Sequence, residues 1–239
     1  ASDVYKRQIS KEEKPKDIGQ LKFRYSDSFF LHSACSYDHE LAIMSLGLTM
    51  SAFTYKADGD KHARAALHAI GCDDRTIESF RFDDQQSCAD SCGYIIAAKK
   101  LPDDTFLIPV VIRSHCYGGE WVSNAHAVEE AYPDHAVGFK AAADGVYDAV
   151  TDYLDRRGFD LGRVKLWLCG YSRGGAVTNL LGARFTFESG IGKDNIFAYS
   201  FATPVTVFDR ACLFTDNIFN IMSEMDIVCL LYTSDAADD

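Results

Sequence analysis

One stretch, VKLWLCGYSRGGAVTNLLGARF at residues 164–185, constrains the fold more than any other part of this sequence. Its first six residues form an almost uninterrupted apolar run, which is typical of a strand covered on both faces in a parallel sheet. After Ser172, the apolar residues Val177, Leu181 and Phe185 recur at helical spacing. The pattern therefore predicts a strand, a tight turn at Ser172 and a helix that begins at once, as in an α/β protein.

The turn reads Gly170-Tyr171-Ser172-Arg173-Gly174, a G-x-S-x-G sequence. Such a serine is a nucleophile in hydrolases when a strained strand-to-helix turn holds its hydroxyl clear of the sheet. Both glycines are then required, because a Cβ at either position would collide with the neighbouring strand or helix. The backbone N–H of Arg173, at the helix N-terminus, would point toward an oxyanion on the substrate. The alternative is a glycine-rich turn in which Ser172 only caps the helix.

The N-terminal half predicts two helices and three short strands. The helices are expected at residues 38–56 and 61–70, and the strands at residues 77–82, 92–98 and 106–114. The turn KKLPDD joins the last two strands and makes them antiparallel neighbours. Pro109 lies inside the third strand and is expected to trim or bulge it, because proline cannot donate a ladder hydrogen bond.

The second half alternates helices and strands. A helix is expected over residues 138–158, ended by Gly158, with an apolar face formed by Phe139, Ala143, Val146, Val150 and Tyr153. Further strands are expected at residues 164–169, 196–202 and 217–222. This alternation predicts one α/β domain with a mostly parallel central sheet flanked by helices and an antiparallel N-terminal portion.

The two ends of the chain, residues 1–8 and 229–239, share no periodicity with the rest. We interpret both as non-native tails of the kind left by sequencing-adaptor read-through, and we leave them out of the fold. Residues 9–228 are then expected to form a single domain that is truncated at its C-terminus. The alternative is that both ends are genuine disordered termini.

Composition excludes several classes of partner. The formal charge of −11 argues against nucleic acid or anionic headgroups as the main partner, because both repel an acidic surface. The longest apolar stretch near the start, residues 41–53, is too short to form a transmembrane segment. No second pair of Cys or His stands at zinc-ribbon spacing from Cys88 and Cys92, so no metal is expected. Cys169 is expected in the core, and free thiols favour a reducing, cytoplasmic compartment over secretion.

Taken together, these motifs resemble the class 3 (fungal-type) lipases, a family with the α/β-hydrolase fold. The family's G-x-S-x-G-G matches residues 170–175, its F-x-x-P matches residues 201–204, and its N-x-x-D-I-V matches residues 223–228, with Ser223 in place of asparagine. Upstream, an arginine-ended strand followed by a loop with Trp and Asn matches residues 110–124, and the Gly-Phe that opens the next helix matches residues 138–139. The resemblance implies an α/β-hydrolase-like domain, incomplete at its C-terminus.

The resemblance also implies Asp226 as the acid of a catalytic triad with Ser172. The residue order agrees, because α/β-hydrolases carry Ser, then Asp or Glu, then His along the chain. Asp209 and Asp216 are rivals with worse placement. All seven histidines precede the serine, namely His32, His39, His62, His68, His115, His126 and His135. We therefore expect the base to be a histidine beyond Val228; the alternative is an inactive relative that never had one.

By family position, the second N–H of the oxyanion hole falls at His115, beside that of Arg173. The family more often has Gly followed by Ser or Thr here, where this chain has Ser114 and His115; the side-chain donor of the hole is therefore left open, but a backbone N–H needs no particular residue. His115 acting as the base from an unusual position is a further alternative. Residues 116–137 stand where the family has its interfacial lid, and acidic residues crowd the apolar ones in this stretch. We expect a preference like that of a carboxylesterase or a weakly interfacial lipase.

The sequence thus predicts a serine ester hydrolase, a lipase or carboxylesterase, acting on acyl esters in lipid metabolism. Its substrate is a small acyl ester or lipid, and no cofactor or metal is called for. An acyltransferase or thioesterase would share the same fold and triad. A non-catalytic pseudo-hydrolase that binds acyl ligands or a protein partner would lack the histidine.

Overall fold

Each predicted helix and strand is present in the computed structural model, which describes residues 23–53, 59–82, 91–113, 137–203 and 214–222, with only the backbone described at 137 and 138. The helices are α1 (His39–Ser51), α2 (Lys61–Ala69), α3 (Val137–Arg156) and α4 (Arg173–Glu188). The strands are β1 (Glu78–Phe80), β2 (Tyr94–Ile96), β3 (Lys99–Lys100), β4 (Phe106–Ile112), β5 (Val164–Tyr171), β6 (Ile196–Phe201) and β7 (Ile218–Ile221).

The described strands form one mixed sheet in the order β1-β2-β4-β5-β6-β7, with β3 also beside β4. Strands β4 to β7 pair in parallel, and β1, β2 and β3 pair antiparallel. The mostly parallel sheet with an antiparallel N-terminal portion is therefore confirmed. Because β4 to β7 run in one direction, their carboxyl ends lie at the same edge, where ligands bind in α/β folds.

Pro109 lies in the middle of β4, and the prediction that it trims or bulges this strand was wrong. It pairs in register with Trp167 of β5, and its carbonyl accepts a 3.1 Å hydrogen bond from Ala97 N–H. The missing proline N–H faces the antiparallel side, where the ladder is interrupted at residues 97–98 between β2 and β3. Strands β2 and β3 keep the same register against β4. The interruption opposite the proline therefore falls between β2 and β3, while β4 itself is continuous.

Two helical layers cover the two faces of the sheet. Alternate residues of β5 point to opposite faces, so Trp167 and Cys169 pack with α1 and α2, whereas Leu166 and Leu168 pack with α3 and α4. Trp167 is fully buried and donates a 2.8 Å hydrogen bond from Nε1 to Ser45 Oγ of α1. Burial on both faces explains the almost continuous apolar sequence of this strand. Cys169 is a core residue, as predicted.

The ends of the helices follow local sequence signals. Asp38 caps α1 by accepting a 3.0 Å hydrogen bond from Leu41 N–H, and α1 ends at Ser51, earlier than the predicted residue 56. The predicted face of α3 is buried, and Gly158 (φ +67°) ends the helix. There Phe159 N–H donates a 3.1 Å hydrogen bond to Leu154 O, which satisfies a carbonyl of the last turn.

In the described part of the chain, no helix is both long and apolar enough to cross a bilayer. The same residues contain no cluster of three or more His, Cys, Asp or Glu side chains arranged to hold a metal ion. The predicted tails, residues 1–8 and 229–239, lie outside the described ranges, and the domain boundaries at residues 9 and 228 stay predictions.

Candidate active site

Ser172 lies between the end of β5 and the first residue of α4, at the carboxyl edge of the parallel strands. Its backbone has φ +53° and ψ −122°, a conformation that an L-residue adopts only under strain. Its carbonyl already accepts a 3.0 Å hydrogen bond from Ala176 N–H, so the helix begins without any connecting loop. The strain is thus the geometric consequence of a strand that turns into a helix at one residue.

The glycines on either side of Ser172 are required for close packing. A Cβ on Gly170 would lie 2.2 Å from Gly174 O, and a Cβ on Gly174 would lie 2.8 Å from Ile112 O of β4. A Cβ on Gly175 would lie 3.0 Å from Thr203 Cβ. These are the collisions with neighbouring helix and strand that the sequence predicted.

The Ser172 side chain makes no hydrogen bond that caps α4. An N-cap serine has an extended backbone, and its hydroxyl oxygen accepts from an N–H of the first turn. Ser172 has neither feature, since its φ is positive and its hydroxyl accepts no capping hydrogen bond. Ser172 as a residue is half-buried at this edge of the sheet. The geometry fits a nucleophile elbow better than the capping alternative.

Backbone hydrogen bonds connect Ser172 to the strands that follow it. Ser172 N–H donates a 2.8 Å bond to Phe201 O at the end of β6. Ala202, the residue after Phe201, has φ +46°, and its N–H donates a 3.0 Å hydrogen bond to Ile221 O at the end of β7. The carboxyl ends of β5, β6 and β7 are therefore held together around the serine.

Arg113 closes the other side of this edge, directly after β4. It is buried, and its Nη1 donates to Arg81 O at 2.6 Å and to Phe82 O at 3.1 Å. Its backbone N–H donates a 2.8 Å bond to Gly93 O. These contacts tie the end of β4 to the chain after β1.

Arg173 is the first residue of α4, so its N–H points out of the helix N-terminus. Its side chain is only 2% exposed, although a guanidinium is costly to bury. The guanidinium carbon lies 5.4 Å from the ring centroid of Phe139, within the range of a cation–π contact. This contact packs the start of α3 against the start of α4.

Aromatic side chains surround the same edge. Tyr171 and Phe53 meet edge to face with centroids 5.5 Å apart, which places the end of α1 beside Ser172. At the far side of the sheet, Phe80 stacks on Tyr94 at 5.3 Å, and 46% of Phe80 is exposed. Both aromatic pairs lie at the carboxyl edge of the parallel strands, the first next to Ser172 and the second two to three strands away, on β2 and β1.

The predicted residues Asp226 and His115, the rival Asp209 and the side chains of the lid segment at residues 116–137 lie outside the described residues. The rival Asp216 is described, and it precedes β7 at the amino edge of the sheet. There it forms a 2.6 Å ion pair with Lys193, which holds its pKa below the usual range. Asp216 is therefore at the edge opposite Ser172, which removes it as a triad acid.

Two upstream histidines are also away from Ser172. His32 contacts Asp38 at 3.2 Å and packs 6.0 Å from the ring of Phe197, at the beginning of β6. His68 of α2 contacts Asp74 at 3.2 Å on the surface. His32 therefore lies near the amino edge of the sheet, and both histidines have carboxylate partners of their own.

A polar cluster formed by Asn179, Ser200 and Asn220 was missed by the sequence analysis. It lies between α4, β6 and β7, and its side chains hydrogen-bond to one another. The available signal was weak: Asn179 and Ser200 interrupt otherwise apolar stretches of a helix and a strand, and such residues are buried only when they find partners.

Comparison with models of known protein families identifies the family of this chain. The family model described as Lipase (class 3) matches residues 110–235, more than half of the chain. This chain belongs to the class 3 lipase family. The match begins within β4, includes the strand–serine–helix unit, and runs to residue 235. A comparison with curated proteins found no match.

Solved structures of lipases share the fold of this class 3 lipase. The triacylglyceride lipase of Rhizomucor miehei is 15% identical, with a TM-score of 0.52 over 84% of this chain and 77% of its own. A lipase from Rhizopus microsporus var. chinensis is 14% identical, with a TM-score of 0.53 over 80% of this chain and 67% of its own. A fungal lipase in complex with an inhibitor is 18% identical, with a TM-score of 0.52 over 81% of this chain and 74% of its own.

At these identities the structures establish the α/β-hydrolase-like fold of this chain. Together, family and fold make it a lipase-type ester hydrolase, and the family indicates a lipid ester as substrate. The resemblance inferred from the sequence motifs is confirmed.

Proposed function

We propose that this class 3 lipase hydrolyses acyl esters through a covalent intermediate on Ser172. The observation that carries the proposal is the backbone of this residue, which is strained, opens a helix and leaves the hydroxyl without a capping role. A serine hydroxyl is a weak nucleophile until an imidazole accepts its proton. Asp226 orients that imidazole. No histidine follows Ser172 in the given sequence, whose residues 229–239 we interpret as a non-native tail. We therefore assign the base to a histidine of the native chain beyond residue 228.

The reaction proceeds in two balanced halves. Ser172 Oγ attacks the carbonyl carbon of the ester while its proton passes to the histidine, and the carbonyl oxygen becomes an oxyanion. The backbone N–H groups of Arg173 and His115 donate to this oxyanion. The intermediate then collapses, the alcohol leaves with the proton from the imidazolium, and an acyl-serine remains. Water attacks the acyl-serine in the same way, which releases the acid and restores the hydroxyl.

Support for an ester of modest chain length comes from charge. The segment 116–137 contains four acidic residues beside its apolar ones, and the whole chain has a formal charge of −11. A segment that adsorbs to a lipid interface needs a continuous apolar face, which acidic side chains interrupt. We expect faster turnover of short-chain, water-soluble esters than of emulsified long-chain triglycerides.

The test is substitution of Ser172 by alanine in the full chain that carries the catalytic histidine. Ser172→Ala is expected to lower hydrolysis of a short-chain nitrophenyl ester by about 10⁴-fold or more, and to abolish covalent labelling by a fluorophosphonate. Ser189→Ala is the matched control, because Ser189 lies at the opposite end of the same helix, where its hydroxyl donates to Phe185 O at 2.6 Å. Unchanged turnover in Ser172→Ala would exclude this serine as the nucleophile.

A further inference from the structure

A polar cluster joins the helix that follows Ser172 to the strand that leads to Asp226. Asn179 Nδ2 of α4 donates a 2.6 Å hydrogen bond to Asn220 Oδ1 of β7. Between them, Ser200 Oγ of β6 lies 2.5 Å from Asn220 Oδ1 and 2.9 Å from Asn179 Oδ1, and its single proton serves one of these oxygens at a time. Ser200 is fully buried and Asn179 is 7% exposed.

The cluster lies at the level of the elbow. Gly170 pairs in register with Ser200, and Ser200 pairs in register with Asn220, so the three residues form one row across β5, β6 and β7. The first glycine of the G-x-S-x-G turn is therefore in the same row as the strand residue that lies six positions before Asp226. Asn179 faces this row from α4, about two helical turns after Ser172.

A second polar pair holds the other end of β7. Just before the strand, Asn217 donates through Nδ2 to Thr186 Oγ1 of α4 at 3.1 Å and to Ile196 O at 2.9 Å. Between the two pairs the helix and strand are in tight contact, because a Cβ on Gly182 would lie 3.0 Å from Ile218 Cδ1. The residues Asn179, Gly182 and Thr186 are three and four positions apart and thus form one stripe of α4 that faces β7.

The two polar pairs lie at opposite edges of the parallel sheet, and one of these edges carries Ser172. Asn217 and Thr186 lie at the amino edge of the parallel strands, whereas Asn220 lies at the carboxyl edge with Ser172. Among the described strands, β7 pairs with β6 alone. Loss of the Asn179–Asn220 bond therefore leaves the amino end of β7 anchored while its carboxyl end loses its side-chain contact with the nucleophile helix.

We propose that Asn179, Ser200 and Asn220 form a positioning cluster that sets the distance between the nucleophile helix and the acid-bearing end of β7. The inference rests on the proposed roles of Ser172 and Asp226. None of the three residues touches the reacting atoms; they act through the backbone of α4 and β7. Small displacements of a catalytic group lower the rate of chemistry more than they weaken substrate binding.

The experiment compares Asn179→Ala and Asn220→Ala with the control Thr186→Val, in the full chain that contains the catalytic histidine. Both cluster variants are expected to lower kcat by about ten-fold or more, with KM within about two-fold. Thr186→Val removes a side-chain hydrogen bond between the same helix and Asn217, the residue that precedes β7, and is expected to keep kcat within about two-fold.

A pH profile separates positioning from loss of stability. A well-placed carboxylate raises the pKa of its partner imidazole, because it stabilises the imidazolium. When the carboxylate is displaced, the pKa of the imidazole falls, so the acidic limb of kcat/KM is expected to move to lower pH in both cluster variants, by about half a unit or more. A variant that is only less stable would keep the position of this limb.

The possible outcomes separate the inference from the proposed function. If Ser172→Ala and Asp226→Ala are inactive but both cluster variants behave like Thr186→Val, the positioning role is excluded and the triad stands. If Asp226→Ala retains normal turnover, the proposed function and the inference both fail. Should Asn179→Ala not fold, Asn220→Ala decides, because Asn220 is exposed and its truncation removes little packing.

Discussion

Gly170 and Gly174 approach so closely that a Cβ on the first would lie 2.2 Å from the carbonyl oxygen of the second. The oxygen that the Cβ would meet belongs to the backbone, so it cannot move aside as the tip of a side chain would. The contact brings the start of α4 directly against the end of β5. It is the reason why Ser172 alone makes the turn between strand and helix.

Gly170→Ala is expected to lower the free energy of unfolding by about 1–3 kcal/mol and to abolish ester hydrolysis, because the added methyl group separates strand and helix. Denaturant unfolding and a nitrophenyl ester assay measure the two effects. Gly145→Ala is the control: this glycine lies inside α3 with no atom within 4 Å of a new Cβ, so alanine should stabilise the protein by about 0.5–1 kcal/mol. Equal behaviour of the two variants would contradict the contact.

Ser172→Gly is expected to raise the free energy of unfolding by about 1 kcal/mol or more while abolishing activity. Glycine adopts a positive φ without a Cβ penalty, so the substitution releases the strain at φ +53°. Ser172→Ala keeps the Cβ and should be inactive without this gain in stability. Chemical denaturation of the two variants side by side makes the measurement, and equal stabilities would mean that the serine backbone is not strained.

Glu78 is expected to make stability depend on acid pH. Partial burial raises the pKa of its carboxyl, but hydrogen bonds from Arg156 and Arg157, each 2.9 Å, outweigh this effect and leave the pKa below its ordinary value. A lowered pKa stabilises the folded state above the unfolded value, near 4.3, and this contribution is lost as the pH falls through the folded pKa. Glu78→Gln should therefore cost less than about 1 kcal/mol at pH 7, since 38% of the side chain is exposed and the ion pairs are screened by solvent, and nothing near pH 2.

Urea unfolding of Glu78→Gln and the parent protein at several pH values tests this dependence. The matched background is Arg156→Met with Arg157→Met, which removes both partners of the carboxylate. In that background Glu78→Gln should have little further effect at any pH. A loss of stability that is the same at pH 7 and near pH 2 would rule out the ion pairs as its cause.

The buried cysteines are expected to be unreactive in the folded protein. Burial raises the pKa of the Cys72 thiol to about 12, and burial also raises the pKa of Cys169, which is enclosed in β5. Because the thiolate is the reactive form, iodoacetamide at pH 8 should modify Cys35, which is half-exposed, before either of them. Peptide mapping by mass spectrometry gives the order, with denatured protein as the control. Early modification of Cys169 would show that β5 is not packed as described.

Much of the fold could be predicted because it depends on neighbours along the chain. The apolar run of β5, the helical spacing after Ser172 and the glycine at position 158 each specify a local structure from a few consecutive residues. The same is true of the candidate nucleophile, since the G-x-S-x-G turn and its flanking strand and helix are contiguous in sequence. The family resemblance rests on these contiguous motifs as well.

The structural positions of Pro109 and Arg173 could not be predicted from the sequence pattern. Proline within a strand is ordinarily an edge feature, yet Pro109 lies in a central strand because its missing N–H faces a gap between β2 and β3. Arginine is ordinarily exposed, yet Arg173 is buried against Phe139. Phe139 is distant from Arg173 in sequence, and the gap opposite Pro109 depends on how two strands pair, so no periodicity identifies either partner.

Local pattern in the chain was thus enough to locate the elements, the strained turn and the serine within it. The packed molecule was needed to show which edge of the sheet each residue occupies, as it did when it separated Asp216 from Ser172 and joined Asn179 to Asn220. The physical reason is that propensity and periodicity act over a few residues, whereas a buried polar group is stable only beside a partner that the sheet brings from far along the chain.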